Sequence, residues 1–85
     1  MALRAELSPN PFRGTAVLGY HLEVPSMVRL TLWDPSGRMV RDLSPGMRGA
    51  GEQETMLRGE SLAPGVYLYK LQAGNKAAVG KLVRD

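Results

Sequence analysis

The stretch Val28-Arg29-Leu30-Thr31-Leu32-Trp33-Asp34-Pro35-Ser36-Gly37 carries the pattern that decides the fold. In its first part, apolar residues alternate with polar ones, which is the period-two pattern of a strand with one buried face. The last four residues are typical of a type I turn, with proline in the second position and glycine in the fourth. We therefore expect a hairpin in which this strand pairs with the one that follows Gly37.

The same alternation recurs along most of the chain. Turn signals rich in proline and glycine separate the apolar runs at intervals of about 8–12 residues, a spacing typical of all-β sandwiches and barrels. The sequence therefore predicts an all-β fold, a seven-stranded antiparallel sandwich. The predicted strands cover residues 3–7, 15–22, 26–33, 38–43, 51–57, 66–72 and 77–84.

The inward positions of these strands define a predicted core. A second hairpin is expected at Ala73-Gly74-Asn75, between the last two strands. The segment 44–50, which contains two glycines, is expected to be a loop. The predicted core residues are Leu18, Tyr20, Leu22, Val28, Leu30, Leu32, Val40, Leu57, Tyr67, Leu71 and Leu82.

Length and charge exclude several classes of protein. With 85 residues and 44% hydrophobic residues, the chain is long enough for one small domain. Its net charge is +3, but the basic residues are scattered and interleaved with acids, so we expect no nucleic-acid binding. The first residues, from Met1 to Glu6, lack the apolar segment of a signal peptide. The absence of cysteine excludes disulfides and thiolate metal sites.

Candidate catalytic and metal-binding residues are sparse. The single histidine, His21, is predicted to lie on the outward face of a strand, with Glu23 as its nearest acid. A metal site needs about three or four convergent ligands. The serines lie in turn segments without a Gly-x-Ser-x-Gly setting or a second histidine. We therefore expect no enzymatic activity, no metal and no cofactor.

The aromatic residues allow two interpretations. Trp33, Tyr67 and Tyr69 could together form a platform on which sugars stack. Alternatively, they seal the ends of a small sandwich, with the ring in the core and the polar tip in water.

Several short motifs follow one another in a fixed order and end close to the last residue. They are Pro9-Asn10-Pro11-Phe12, Leu18-x-Tyr20-x-Leu22, Val28-x-Leu30-x-Leu32-Trp33-Asp34, Ser36-Gly37-Arg38 with Val40, Gly51-Glu52, Leu62-Ala63-Pro64-Gly65-Val66-Tyr67-Leu68-Tyr69-Lys70-Leu71 and Lys81-Leu82-Val83-Arg84. In order and spacing they resemble the C-terminal sorting domain of type IX secretion cargo in Bacteroidetes and their relatives. They are also similar to the immunoglobulin-like domain of the flagellar hook-capping protein. The resemblance covers residues 3–84.

The resemblance implies a sorting signal rather than an enzyme. It implies an immunoglobulin-like β-sandwich at the C-terminus of a larger secreted protein. Such a domain directs an upstream passenger from the periplasm through an outer-membrane translocon of a Gram-negative bacterium. The passenger is then released or attached to surface polysaccharide. The domain itself is expected to be a monomer.

Physical reasoning gives the motif residues local roles. Pro9 and Pro11 hold their segment extended, and Asn10 between them can hydrogen-bond nearby backbone. Gly37 and Gly65 supply turn geometry that a Cβ atom penalises. Two alternatives to a sorting module stay open, namely a structural domain of a hook-cap-type assembly and a carbohydrate-binding accessory module of a secreted glycoside hydrolase.

The last two strands carry an unusual outward face. If Tyr67 and Leu82 face inward, apolar residues alternate outward on both strands with lysines between them. An exposed sheet face is ordinarily more polar, so this face is the predicted recognition surface, unless a loop or the N-terminal segment covers it. Its predicted members are Val66, Leu68, Lys70, Val79, Lys81 and Val83, with Arg84 at the rim.

Overall fold

The computed structural model describes residues 3–85, with the side chain of Ser61 left out of the description. Within these residues the fold consists of strands and one single-turn 3₁₀ helix. The strands are β1 (Ala5–Ser8), β2 (Thr15–Leu22), β3 (Ser26–Trp33), β4 (Met39–Asp42), β5 (Gly46–Arg48), β6 (Gly51–Arg58), β7 (Gly65–Ala73) and β8 (Lys76–Arg84), and the 3₁₀ turn covers Gly59–Ser61. The expectation of an all-β fold is confirmed, and the sequence-based strands agree closely with these bounds.

The strands form two antiparallel sheets that share one core. The first sheet has the order β1-β2-β6, and the second has the order β4-β3-β7-β8 with β5 also paired to β3. Buried residues from both sheets form a single hydrophobic cluster. Of the predicted core residues, all but one are buried; the exception is Val40, which is half-buried and packs against the cluster from the sheet edge.

The two predicted hairpins are present. β3 and β4 are joined by a turn in which the Gly37 amide donates to the Asp34 carbonyl over 3.0 Å. Gly37 has a φ of +89°, a conformation that a Cβ atom disfavours. The Asp34 carboxylate accepts hydrogen bonds from the Ser36 amide, the Ser36 hydroxyl and the Arg38 amide, so the turn is closed by side chain and backbone together. The other hairpin turns at Gly74 and joins β7 to β8.

The expectation of seven strands is wrong by one, because the segment 44–50 contributes β5. This short strand pairs with the first part of β3, and β4 pairs with its last part. Between these pairings, residues 43–45, which include Pro45, belong to neither strand. A proline has no amide hydrogen to donate to a ladder, and this explains why the edge strand is interrupted there. The register shift of this edge lies further along, where Leu32 faces Arg41 and Trp33 faces Met39.

Two buried aromatic residues, Phe12 and Tyr69, are absent from the predicted core list. Phe12, in the segment between β1 and β2, is only 2% exposed and belongs to the core. Tyr69 is buried on β7 and lies over Gly80, its cross-strand neighbour on β8. A Cβ atom at Gly80 would lie 2.3 Å from ring atoms of Tyr69, so the ring occupies the space that a side chain would need. Burial raises the pKa of Tyr69 above its ordinary value of 10.0.

Candidate functional site

The outward side of the β7–β8 hairpin has the composition that the sequence predicts. Val66 lies opposite Val83, Leu68 opposite Lys81, and Lys70 opposite Val79. Directly opposed residues of an antiparallel pair project to the same side of the sheet. We call this surface the hairpin face; it comprises Val66, Leu68, Lys70, Val79, Lys81 and Val83.

The apolar part of the hairpin face is accessible to solvent. Val66 is 43% exposed, Leu68 47% and Val79 64%, while Val83 is half-buried. Within residues 3–85, therefore, neither a loop nor the N-terminal segment covers the face. Burying apolar surface of this kind against a partner contributes roughly 25 cal/mol per Å².

Trp33 and Met39 extend this apolar surface across the sheet. Trp33 lies opposite Leu68 on one side and opposite Met39 on the other. The indole is half-buried, and its Nε1 donates to Thr31 Oγ1 over 3.0 Å, which explains how Thr31 is buried on the outward side of the sheet. Neither Trp33 nor Met39 was predicted from the sequence to adjoin the hairpin face. The alternation of β3 places Trp33 outward, but only the register between strands shows that it adjoins Leu68.

Charged groups surround the apolar patch. Lys70 and Lys81 lie within the hairpin face, and Arg29 of β3 lies on the same side of the sheet. Asp42 is opposite Thr31, and its pKa is held below the ordinary value of 3.8 mainly by hydrogen bonds from Ser44 and secondarily by the Arg29 charge. The face thus combines an exposed apolar centre with a mostly basic surround.

The Pro9-Asn10-Pro11 motif braces the edge strand of the hairpin. The Asn10 side chain donates from Nδ2 to the Lys81 carbonyl over 2.9 Å and accepts at Oδ1 from the Val83 amide over 3.0 Å. One amide side chain thereby hydrogen-bonds two backbone groups of β8 to which a neighbouring strand would otherwise bond. The sequence predicts that Asn10 bonds nearby backbone; in fact its partners lie more than 70 residues along the chain.

The same edge is held further along by main-chain bonds of Phe12. Its amide donates to the Val83 carbonyl over 3.0 Å, and its carbonyl accepts from the Asp85 amide over 2.8 Å. The buried Phe12 ring anchors this segment in the core. We call residues 9–12 the strap, because they leave β1 in one sheet and cross to the edge of the other.

Gly65 and Tyr67 fix the start of β7. Gly65 is the first residue of the strand, and the Tyr67 hydroxyl donates to the Ala63 carbonyl over 2.5 Å. The Tyr67 ring is buried in the core. The Tyr67 hydroxyl bond thereby links the segment before β7, at Ala63, to the strand. It positions the outward neighbours of Tyr67, which are Val66 and Leu68.

Two residues of the quoted motifs, Arg84 and Val40, lie away from the hairpin face. Arg84 does not form the rim of the hairpin face, because it follows the inward parity of β8 and donates from Nε to the Gly59 carbonyl over 2.8 Å. Its guanidinium therefore joins β8 to the 3₁₀ turn. Val40 packs against the core at the far edge of the sheet, next to the hairpin turn that contains Gly37.

The remaining candidates also have structural partners. His21 Nδ1 lies 2.9 Å from Glu52 Oε1 on β6, so its nearest acid is on the neighbouring strand and not, as predicted, at Glu23. Tyr67 and Tyr69 are buried and form no stacking platform with Trp33. Across residues 3–85 no three histidine or carboxylate side chains are grouped as a metal site. The described part of the chain has no helix that is long and apolar enough to cross a membrane.

Comparison with known proteins gives one match. A family model described as "Secretion system C-terminal sorting domain" matches residues 6–85, nearly the entire chain. Comparison with curated proteins and with solved structures gave no match. The matched region includes the strap and the hairpin face.

Proposed function

The chain belongs to the secretion system C-terminal sorting domain family, and we propose that it directs an upstream passenger through the outer-membrane translocon of a type IX system. Family membership supports a sorting signal whose cargo leaves the cell by the outer-membrane route. Contact with a secretion machinery and covalent continuity with a passenger follow from that role. Release of the passenger, or its attachment to surface polysaccharide, would then complete export.

The observation that carries the proposal is the hairpin face. A protein of this size has little reason to expose a contiguous patch of valine and leucine unless a partner covers it. We propose that the secretion machinery recognises this patch by packing against its apolar side chains. Lys70 and Lys81 place positive charges next to those side chains. The strap and Tyr67 act as positioning elements, since they hold β8 and β7 in the register that assembles the face.

We further propose that the domain is not a catalyst. The single histidine lies 2.9 Å from Glu52, and no three histidine or carboxylate side chains of the described residues are grouped as a metal site. Recognition by shape and surface chemistry needs none of these groups.

An immunoglobulin-like topology is also proposed for the two sheets. If β4 and β5 are counted as one interrupted strand, three strands face four, in an order consistent with such sandwiches. The bond from Tyr67 to a carbonyl four residues upstream corresponds to the tyrosine corner of these folds.

The proposal is tested by export of a passenger fusion. The variant Val79→Ser, Lys81→Glu, Val83→Ser removes two apolar residues from the hairpin face and reverses one positive charge. A matched control, Val17→Ser, Glu54→Lys, Met56→Ser, replaces two apolar residues and reverses one charge, of the opposite sign, on the outward side of the other sheet. Circular dichroism first establishes that both variants fold and melt cooperatively.

We expect the hairpin variant to leave its passenger in the periplasm, while the control reaches the exterior at the wild-type level. If the folded hairpin variant is exported as well as wild type, the face is not the recognition site. Export would then be read elsewhere, with the strap and the Gly37 turn as the next candidates.

A further inference from the structure

The four sheet edges of the domain differ in how well they are protected. An edge strand presents unpaired amide and carbonyl groups to which another strand can add, and natural proteins usually block such edges. In this fold the first sheet ends at β1 and β6, and the second ends at the β4–β5 edge and at β8.

Three of these edges carry at least a partial block. The strap bonds the C-terminal part of β8, at the Lys81 carbonyl and the Val83 amide and carbonyl, through Asn10 and Phe12. β1 has only four residues and runs into Pro9. The β4–β5 edge is interrupted at residues 43–45, which include Pro45, and its register shifts opposite Leu32 and Trp33. Short length, proline and bulges are the devices that prevent strand addition.

The edge of β6 has none of these devices. The strand has eight residues, contains no proline and pairs with β2 in unbroken register from Gly51 to Arg58. Among the described residues, β2 is the only strand that pairs with it. Its outward side chains are exposed, with the Glu52 carboxylate side chain 83% accessible.

We infer that a second copy of this chain adds to the open edge of β6, antiparallel and about a two-fold axis. In a symmetric pair the two copies of one residue face each other at the axis, and each outward residue meets an outward residue of the other strand. With Thr55 at the axis, Glu52 faces Arg58 of the second copy, and by symmetry Arg58 faces Glu52. Glu54 then faces Met56 of the second copy.

Length and charge select this register over its two nearest competitors. Placing Met56 on the axis would also set Glu54 opposite Arg58, but it would pair only residues 54–58 instead of 52–58. Placing Glu54 on the axis would pair a stretch of similar length, but it would set two glutamates directly opposite each other. Like charges opposite one another destabilise a strand pair, and opposite charges stabilise it. The Thr55 register gives two Glu–Arg pairs and no like-charge pair, so β6 is complementary to itself.

The resulting dimer would join the two three-stranded sheets into one six-stranded sheet. The hairpin face lies on the other sheet of each copy and takes no part in this contact. The inference is therefore independent of the proposed export role.

The test is sedimentation of the isolated 9.3 kDa chain from about 10 μM to about 1 mM, the range expected for a small edge contact. We expect the average mass to rise towards that of a dimer. Arg58→Glu should weaken association about tenfold, because it sets acids opposite Glu52. The swap Glu52→Arg, Arg58→Glu should restore association, since opposite charges face each other again. Glu6→Arg, on β1, is the matched control and should leave association unchanged.

Amide exchange adds a position-specific readout. Protection that increases with protein concentration should be confined to β6. A mass that stays monomeric to about 1 mM, a swap that fails to restore association, or protection that appears on the hairpin face instead would each overturn the inference.

Discussion

Replacing Gly80 with alanine tests the packing that holds the hairpin face on the core. Gly80 lies on the inward side of β8, directly opposite Tyr69. A Cβ atom built there would lie 2.3 Å from the Cζ and hydroxyl oxygen of the Tyr69 ring, well inside van der Waals contact. The ring is buried, so it can move aside only by disturbing the core.

The magnitude follows from two opposing terms. Forcing extra volume into a packed core costs about 1–3 kcal/mol. Replacing glycine by alanine in an allowed conformation returns about 0.4–1 kcal/mol, because the unfolded chain loses freedom. Gly80→Ala should therefore lower the free energy of unfolding by about 1–2 kcal/mol, and each kcal/mol lowers the melting temperature by about 4–8 °C in a domain of this size.

Gly19→Ala is the matched control. Gly19 lies within β2, and a Cβ atom there would meet only the Glu6 carbonyl oxygen, at 3.9 Å, which is ordinary contact. Chemical denaturation should place this variant at or slightly above wild type. In a Tyr69→Leu background the cost of Gly80→Ala should largely disappear, because the ring atoms that it would strike are gone. Equal stabilities for the two glycine variants, or an undiminished cost without the ring, would refute the reasoning.

Three further variants probe the elements around the face. Asn10→Ala removes both bonds to the β8 edge. It should lower the free energy of unfolding in denaturant by about 1–2 kcal/mol, a modest loss because the amide is exposed. A loss no larger than that of exposed loop substitutions would show that these bonds do not hold the strap. Tyr67→Phe removes the hydroxyl bond to Ala63 and should cost about 1 kcal/mol, with unchanged stability as the contrary result. The pKa of Asp34 is lowered from 3.8, chiefly by the hydrogen bond from the Ser36 hydroxyl. The ionised carboxylate therefore stabilises the fold above pH 3.8, and this stabilisation is lost as the pH falls through the lower pKa of the folded state. Asp34→Asn should therefore melt below wild type at pH 6 but approach it near pH 2; a gap that does not narrow on acidification would contradict that assignment.

Local patterns were sufficient to predict most of the strands. Alternation on β3 placed Leu30 and Leu32 in the core, and the turn residues at Gly37 and Gly74 fixed two hairpins. Because side chains alternate with a period of two, the inward placement of Tyr67 and Leu82 was enough to place the hairpin face outward.

Long-range features could not be predicted in this way. Phe12 stands in a segment without periodicity, so nothing nearby in the sequence marks it as core. The partners of Asn10 lie on a strand more than 70 residues away, and only the folded arrangement brings them together. β5 has three residues next to Pro45, which is too short for alternation to indicate a strand. Arg84 was misplaced because it was taken to lie beyond the end of the last strand; it belongs to β8, and the alternation puts it on the same side as Leu82, where it bonds the Gly59 carbonyl.

Crosslinking in exporting cells tests most directly whether the secretion machinery contacts the hairpin face. A photoreactive amino acid would be placed at Val79 of a passenger fusion or, as control, at Met56, which is also an exposed apolar residue but lies on the other sheet. We expect Val79 to crosslink to an outer-membrane component of the type IX machinery and Met56 not to do so. Crosslinks from Met56 alone, or none from Val79 while export proceeds, would contradict recognition at the hairpin face.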